Sequence, residues 1–239
     1  MKKAAASVLS TLIWFVAIIW FFLGTLGVLL IGIFRSGRLF EACVKGLCRS
    51  VVWICGIRVT LKGHENYQVG RQYIIMMNHV NIFDGFVFYR SYPGKARGLE
   101  DESHFDWPVY GWVIRRMGQI PINRKSGIKA MESLRRAAAL IRKDSAMSCA
   151  VFPEGTRTRS GMLGPFKKGG FLLALETGLD ILPLVQIGAQ RINRSKSLLI
   201  RPGRIEFIIG KPIPVAGYSK ENLVQLMDKV REVFLTYVE

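Results

Sequence analysis

Residues Tyr73–Asp84 have the sequence YIIMMNHVNIFD, in which a short apolar run is followed at once by polar side chains. Five apolar residues in succession are typical of a strand buried on both faces of a sheet. The loops that follow such strands line the ligand sites of α/β proteins. We therefore expect His79 and Asp84 to lie at the functional end of a buried strand.

The chain on either side of this stretch alternates between strand and helix patterns. Further strands are predicted at Ile57–Lys62, Gln119–Asn123, Ala146–Phe152, Ile181–Ile187 and Ile205–Ile209, and the clearest helices at Ile128–Arg142 and from about Ser219 onward. This alternation predicts an α/β fold with a largely parallel central sheet flanked by helices.

The N-terminal part of the chain is apolar over an unusual length. Val8–Phe34 contains no charged residue, which is more than the roughly 20 residues that a helix needs to cross a bilayer core. A buried core helix or a secretory signal would fit this run less well, because both are shorter. Lys2, Lys3, Arg35 and Arg38 flank both ends. The charges therefore leave a membrane span and a shallow re-entrant anchor both open.

A second, amphipathic helix is predicted directly after the apolar run. Phe40, Val44, Leu47, Val51 and Ile54 recur at steps of four and three, which places them on one helix face. Such a helix either lies on the lipid surface or packs its apolar face on the globular domain. The pattern does not choose between these two positions.

Charge and composition limit the possible partners. Half of the 239 residues are hydrophobic, and Lys and Arg exceed Asp and Glu by 34 to 17, which gives a net charge of +17. This balance favours a nucleic acid, an anionic membrane or a phosphorylated substrate. The four cysteines show neither a C-x-x-C nor a Cys/His zinc pattern, and we interpret them as small apolar side chains in a reducing compartment.

Two polar segments carry the candidate chemistry. A histidine oriented by a nearby carboxylate suits a general base, and the separation of five positions between His79 and Asp84 allows a turn to bring them together. The segment Phe152–Gly161 follows another predicted strand, and its Gly155, Thr156 and Arg157 can donate hydrogen bonds to phosphate oxygens. Taken alone, the His-x4-Asp spacing is weak evidence, because it also arises by chance and a single histidine is more often structural.

Other catalytic patterns are absent from the sequence. It contains no Gly-x-Ser-x-Gly elbow and no P-loop lysine motif, which argues against a covalent serine hydrolase or a nucleotide hydrolase. A general base, its acid partner and phosphate-binding cations need a nucleophile from the substrate. An alcohol on a phosphate-bearing lipid that attacks an acyl thioester satisfies every requirement.

The order Asn-His-x4-Asp, a strand ending in Arg124, and Phe-Pro-Glu-Gly-Thr-Arg resembles the glycerolipid acyltransferase family, especially the lysophosphatidate (1-acylglycerol-3-phosphate) acyltransferases. The resemblance runs from about Ile57 to about Pro214. It implies a membrane-anchoring part in residues 1–56 and a catalytic α/β domain in residues 57–239.

By this resemblance, His79 is the base and Asp84 its partner. Arg124 and the segment Glu154, Gly155, Thr156 and Arg157 would bind the glycerol phosphate, and the strand around Pro183 would lie by the acyl chain. The sequence departs from the family in two places: Asn81 stands where Ser or Thr is usual, and Asn123 precedes Arg124 where Asp is common. Both departures leave the acceptor lipid open.

The resulting hypothesis is transfer of a fatty acyl group from acyl-CoA or acyl carrier protein to the sn-2 hydroxyl of lysophosphatidic acid, giving phosphatidic acid. It needs no metal or cofactor, and it places the catalytic domain at the cytoplasmic face of a membrane. The alternatives are the same chemistry on another lysolipid, such as a lyso-ornithine lipid, and a non-enzymatic, basic lipid-binding module. Nucleic-acid binding has only the charge in its favour.

Overall fold

In the computed structural model, which describes residues 2–34, 37–123, 127–144 and 147–238, helices and strands alternate after an N-terminal helical pair. The strands are β1 (Ile57–Lys62), β2 (Ile74–Met77), β3 (Ala96–Asp101), β4 (Ile120–Ile122), β5 (Ser148–Val151), β6 (Ile181–Ile187) and β7 (Gly203–Ile209). The helices are α1 (Lys2–Phe34), α2 (Arg38–Ile54), α3 (Asp84–Ser91), α4 (Tyr110–Arg116), α5 (Gly127–Lys143), α6 (Lys168–Thr177), α7 (Ala189–Ile192) and α8 (Leu223–Val238).

The strands form a single sheet in the order β1-β7-β6-β2-β5-β3-β4. Neighbouring strands are parallel except β6 and β7, which are antiparallel. The central strand, β2, lies between β6 and β5, and all four of its residues are buried. The predicted α/β class with a largely parallel sheet, preceded by an apolar and an amphipathic helix, is confirmed.

Helices cover both faces of the sheet, and β2 shows how the core is divided. Ile75 and Met77 point into a cluster that includes side chains of α1, α2 and α3. Ile74 and Met76 point to the other face, where they pack with side chains of α5, α6 and α8. Successive side chains on a strand point to opposite faces, so an uninterrupted apolar run is what this central position requires.

The amphipathic helix α2 packs its apolar stripe on the protein. Phe40, Val44, Cys48, Val51 and Val52 are its buried residues, so the predicted stripe is present and is widened by Cys48 and Val52. This observation favours packing on the domain over a position on the lipid surface alone.

Helix α1 lies along the domain. The indole N–H of Trp20 donates to the hydroxyl of Ser50 on α2 (2.6 Å), and the ring of Phe21 packs edge-on against Phe86 of α3. Near the C-terminal end of α1, the Arg116 guanidinium donates to the carbonyl of Gly32. The opposite face of α1 is apolar and solvent-exposed, with exposed side chains at Val8, Leu9, Leu12, Phe15, Val16, Ile18, Ile19, Phe22, Leu23, Leu26 and Leu30.

Several sequence-based boundaries differ from the structure. Strand β3, with the sequence ARGLED, was not predicted, because its charged residues mask a strand that is only half-buried. The last helix begins at Leu223 and not near Ser219, since the Ser219 N–H donates to Asn222 Oδ1 (2.6 Å) in a preceding turn. In β1, Ile57 is buried but Leu61 is exposed, so the predicted alternation is only partial. Ala146, the predicted start of β5, lies outside the described residues.

The cysteines provide a test of this packing. Cys48, Cys55 and Cys149 are buried, and burial raises the pKa of these thiols to about 12, about 11 and about 12 respectively. The thiolate is the reactive form of cysteine. We therefore expect iodoacetamide at pH 8 to modify the half-buried Cys43 alone in the folded protein, as read by peptide mass spectrometry. All four should react after denaturation, and modification of Cys149 as fast as Cys43 would contradict the fold.

Candidate active site

The two predicted polar segments leave neighbouring strands. β2 ends at Met77 and β5 at Val151, and these strands are parallel and adjacent. Their following loops therefore meet at one edge of the sheet, where α/β proteins hold their ligands. The two loops are joined directly, because the Thr158 N–H donates to the carbonyl of His79 (2.8 Å).

The His79 and Asp84 side chains are in contact, with 2.7 Å between Nδ1 of the imidazole and Oδ2 of the carboxylate. Asp84, at the start of α3, is only 1% exposed, whereas the imidazole side chain is 23% exposed. The carboxylate acts as the acceptor, so Nδ1 is the donor and carries the hydrogen. This leaves Nε2 as the basic nitrogen of the ring.

The buried carboxylate of Asp84 is held by the backbone of its own loop. Oδ2 also accepts from the Val80 N–H (2.6 Å), and the Asn81 N–H lies 3.1 Å from both oxygens. A buried charge requires such partners, and here they also fix the carboxylate with respect to His79.

This arrangement reduces the number of donors available for a negatively charged intermediate. Backbone N–H groups near the start of a helix can in general stabilise such a charge. The Val80 and Asn81 N–H groups are instead occupied by Asp84, and the Phe83 N–H donates to Asn81 Oδ1 (2.8 Å). Three N–H groups of the loop before α3 are therefore not available to such a charge.

The ring of His79 stacks on the neighbouring loop. Its centroid lies 4.0 Å from that of Phe152, and the two planes are 17° apart. Phe152 is the first residue after β5, so the second loop fixes the orientation of the imidazole that Asp84 holds in the first. Phe152 contacts the face of the imidazole and Asp84 contacts its edge, and together they leave the ring little freedom to rotate.

Glu154 joins the two loops. Its carboxylate accepts from the His79 N–H (2.8 Å) and from the Gly164 N–H (2.8 Å), and the residue is 5% exposed. Burial raises the pKa of Glu154 above its ordinary value, and the two N–H donors oppose this effect. The carboxylate thus contacts protein groups at both of its oxygens, a position suited to holding the loops in place.

Two asparagines of the candidate segment, for which the sequence predicted no individual role, tie the first loop to β6 and α7. The Asn78 side chain donates to the Gln186 carbonyl (3.0 Å) and accepts from the Gln186 N–H (2.8 Å). The Asn81 amide donates to the Ala189 carbonyl (2.7 Å). The feature of the sequence that could have indicated both is a carboxamide in the loop after a fully apolar strand, because a buried carboxamide needs hydrogen-bond partners.

The predicted phosphate-binding side chains lie at the outer side of the second loop. Gly155 has φ = 73°, a left-handed conformation that favours glycine, and Thr156 and Arg157 are exposed. Neither Thr156 nor Arg157 forms a side-chain hydrogen bond or ion pair with a described residue. Arg124 follows β4 but lies outside the described residues, so its predicted place beside this loop stays a prediction.

Comparison with known proteins places this site in a family. Residues 58–187 match the sequence profile of the Acyltransferase family. The 1-acyl-sn-glycerol-3-phosphate acyltransferase of Borreliella burgdorferi is 30% identical over 193 residues, which are 79% of this chain and 74% of that protein. The enzyme of the same name from Cocos nucifera is 29% identical over 204 residues, or 85% of this chain. The match spans 64% of the coconut protein, slightly under two thirds of its length.

The fold is also found among solved structures. The crystal structure of the 1-acyl-sn-glycerophosphate (LPA) acyltransferase PlsC from Thermotoga maritima superposes with a TM-score of 0.82 at 23% sequence identity. The alignment covers 100% of this chain and 97% of that one, so the N-terminal helices are included in the likeness.

A carboxylate-oriented histidine at the end of a buried parallel strand, with a cationic loop beside it, is the arrangement expected of an enzyme that transfers a group to an alcohol. The chain belongs to the acyltransferase family, as the sequence predicted. Within that family, the relatives found here are 1-acyl-sn-glycerol-3-phosphate acyltransferases.

The bridging role of Glu154 predicts a loss of stability in Glu154→Ala. Two buried N–H groups would lose their acceptor, at about 1–3 kcal/mol each, while removal of a desolvated carboxylate offsets part of that loss. We expect the free energy of unfolding in detergent to fall by about 2 kcal/mol. Glu232→Ala on the exposed side of α8 is the matched control and should change it by less than about 0.5 kcal/mol. Equal effects of the two substitutions would refute the bridging role.

Proposed function

We propose that this protein transfers a fatty acyl group from an acyl thioester of CoA or acyl carrier protein to the sn-2 hydroxyl of 1-acylglycerol-3-phosphate, giving phosphatidic acid. The observation that carries the proposal is the 2.7 Å contact between His79 Nδ1 and the buried Asp84, which leaves a basic Nε2 on a partly exposed ring. The names of the relatives support the acceptor.

The reaction transfers one proton from the acceptor hydroxyl to the departing thiolate by way of His79. Nε2 of His79 takes the proton of the sn-2 hydroxyl as its oxygen attacks the thioester carbonyl, and Asp84 stabilises the resulting imidazolium. The tetrahedral intermediate then collapses with cleavage of the C–S bond. The imidazolium donates this proton to the departing thiolate, so the enzyme is regenerated as ester and free thiol leave.

The acceptor phosphate is assigned to the second loop. Thr156 and Arg157 offer side-chain donors that no described residue accepts, Gly155 allows the backbone to approach the phosphate closely, and Arg124 completes the cationic side in this proposal. Glu154 supports the reaction as a positioning residue, because both of its oxygens are occupied by backbone N–H groups.

The membrane position follows from α1. This helix has a 29-residue segment, Ala4–Gly32, that is long and apolar enough to cross a membrane, and an 18-residue window within it has a mean hydropathy of 2.5 and is 22% buried in the protein. Its contacts with the domain extend from Ser10, bonded to Leu198, through Trp14, stacked on Phe83, to Gly32. A helix held along the domain over this length is suited to immersion in one leaflet, with the domain at the cytoplasmic face where acyl thioesters are available. We propose residues 1–56 as the anchoring part and residues 57–239 as the catalytic domain.

Substitution of the base tests the chemistry. His79→Ala should lower the turnover number by on the order of 100- to 10,000-fold, the usual contribution of a general base, without loss of folding or membrane attachment. The measurement is thiol release together with mass spectrometry of the lipid product, with a panel of lysolipid acceptors. His64→Ala, whose side chain is 77% exposed, is the matched control and should keep full activity. Wild-type turnover in the His79 variant would overturn the mechanism.

Substitution of the cationic loop tests the acceptor site. Arg157→Ala should raise the KM for 1-acylglycerol-3-phosphate by about tenfold or more, since a charge-assisted hydrogen bond is worth about 1.5–3 kcal/mol, and should leave the KM for the thioester unchanged. The exposed Arg159 in the same loop is the matched control, because Arg159→Ala removes the same charge two residues away. An unchanged acceptor KM in Arg157→Ala, or an equal rise in both variants, would contradict the assignment.

A further inference from the structure

The chain from β6 to the start of β7 carries an unbalanced positive charge. Between Asp180 and Glu206 the sequence contains five basic residues and no acidic one; the five are Arg191, Arg194, Lys196, Arg201 and Arg204. All five are exposed, and none forms an ion pair with a described residue. Residues 193–202 of this segment, which lie between α7 and β7, are called the basic loop below. The catalytic proposal uses none of these cations.

The basic loop is held in one conformation. The Asn193 side chain, which is 3% exposed, donates to the carbonyls of Ser197 (2.7 Å) and Leu199 (3.1 Å). The Arg201 N–H closes the loop by donating to the carbonyl of Ile192 (2.8 Å). Lys196 stands at the turn with φ = 66°, a conformation that is rare for residues other than glycine. A loop fixed in this way presents its side chains in a defined direction.

The basic loop is fastened to α1. The Ser10 hydroxyl donates to the Leu198 carbonyl (3.2 Å) and accepts from the Ile200 N–H (2.9 Å), and the Trp14 indole donates to the same Leu198 carbonyl. The side chain of Leu198 is nevertheless 79% exposed. An exposed apolar side chain therefore lies in a loop whose backbone is bonded to α1, with cations on both sides of it along the chain.

We propose that the basic loop is a second membrane-contact element, in which Leu198 enters the interface and Arg194, Lys196 and Arg201 bind the headgroups of anionic phospholipids. Cations beside an apolar side chain are the combination that an anionic bilayer surface attracts. A nucleic acid would use the cations but would leave Leu198 and the adjoining apolar face of α1 in water. The inference rests on the membrane position proposed above and is independent of the acyl-transfer chemistry.

The test places a fluorophore at the tip of the loop. A Leu198→Cys variant in a Cys43→Ser background is labelled in the full-length protein, since the other three cysteines are buried. The labelled protein is reconstituted in nanodiscs of phosphatidylcholine, with or without phosphatidylglycerol, that contain lipids with nitroxide-labelled acyl chains. Quenching of the fluorophore reports its entry into the bilayer. We expect strong quenching in the anionic discs and weaker quenching in the zwitterionic ones.

Removal of charges from the basic loop then tests its contribution to membrane contact apart from that of α1. Each cation near an anionic surface changes the docking equilibrium about fivefold, so Arg194→Gln/Lys196→Gln should shift it by about 25-fold in the anionic discs. The matched control is Lys143→Gln/Lys220→Gln, which removes two exposed charges next to α5 and α8, on the other face of the sheet from α1. The quenching of the label in this control pair should equal that in the labelled protein without charge substitutions.

Three results would overturn the proposal: an unquenched label in anionic discs, equal quenching with and without phosphatidylglycerol, or the same loss in the control pair. The readout does not require turnover, and a labelled His79→Ala protein should give the quenching of the parent. Failure of the catalytic proposal would therefore leave this result unchanged, and failure of the loop proposal would leave the activity assays interpretable.

Discussion

The site depends on the burial of one carboxylate. Asp84 is almost completely removed from solvent, and a charge in such a place is tolerated only when hydrogen-bond donors surround it. Its donors are two backbone N–H groups of its own loop and the imidazole of His79. The loop from Asn78 to Phe83 must therefore fold around the carboxylate. The conformation that satisfies the charge is the same one that orients the ring.

That loop could not hold its position alone, and the sheet order provides the support. β5 lies on one side of β2 and β6 on the other, although both come later in the chain. From the β5 side, Glu154 and Phe152 contact the backbone and the ring of His79. From the β6 side, Gln186 is paired with Asn78. The histidine is thus fixed by contacts that are distant in sequence, which accounts for its precise placement on an irregular segment.

The sequence predicted those parts of the molecule that depend on local pattern. The apolar run of β2, the bounds of β6 and the 3.6-residue periodicity of α5 reflect burial directly, and burial determines their structure. The contact of His79 with Asp84 could also be predicted, because a separation of five positions is short enough for a turn. β3 was missed because its stability comes from pairing with β4 and β5 and not from its own charged sequence. The role of Glu154 as a bridge could not be predicted, since it depends on the Gly164 N–H ten residues away.

Asn81 shows how a departure from the family pattern can be accommodated. Ser or Thr at this position carries its donor and acceptor on one oxygen, whereas a carboxamide separates the two functions. Here the amide oxygen accepts from the Phe83 N–H, a role that a hydroxyl could also fill, while the amide nitrogen reaches the Ala189 carbonyl in α7. That helix leads directly into the segment fastened to Ser10 of α1. The longer side chain therefore adds a connection between the loop that holds His79 and the segment that we propose to contact the lipid, and it does so without disturbing the contact of His79 with Asp84.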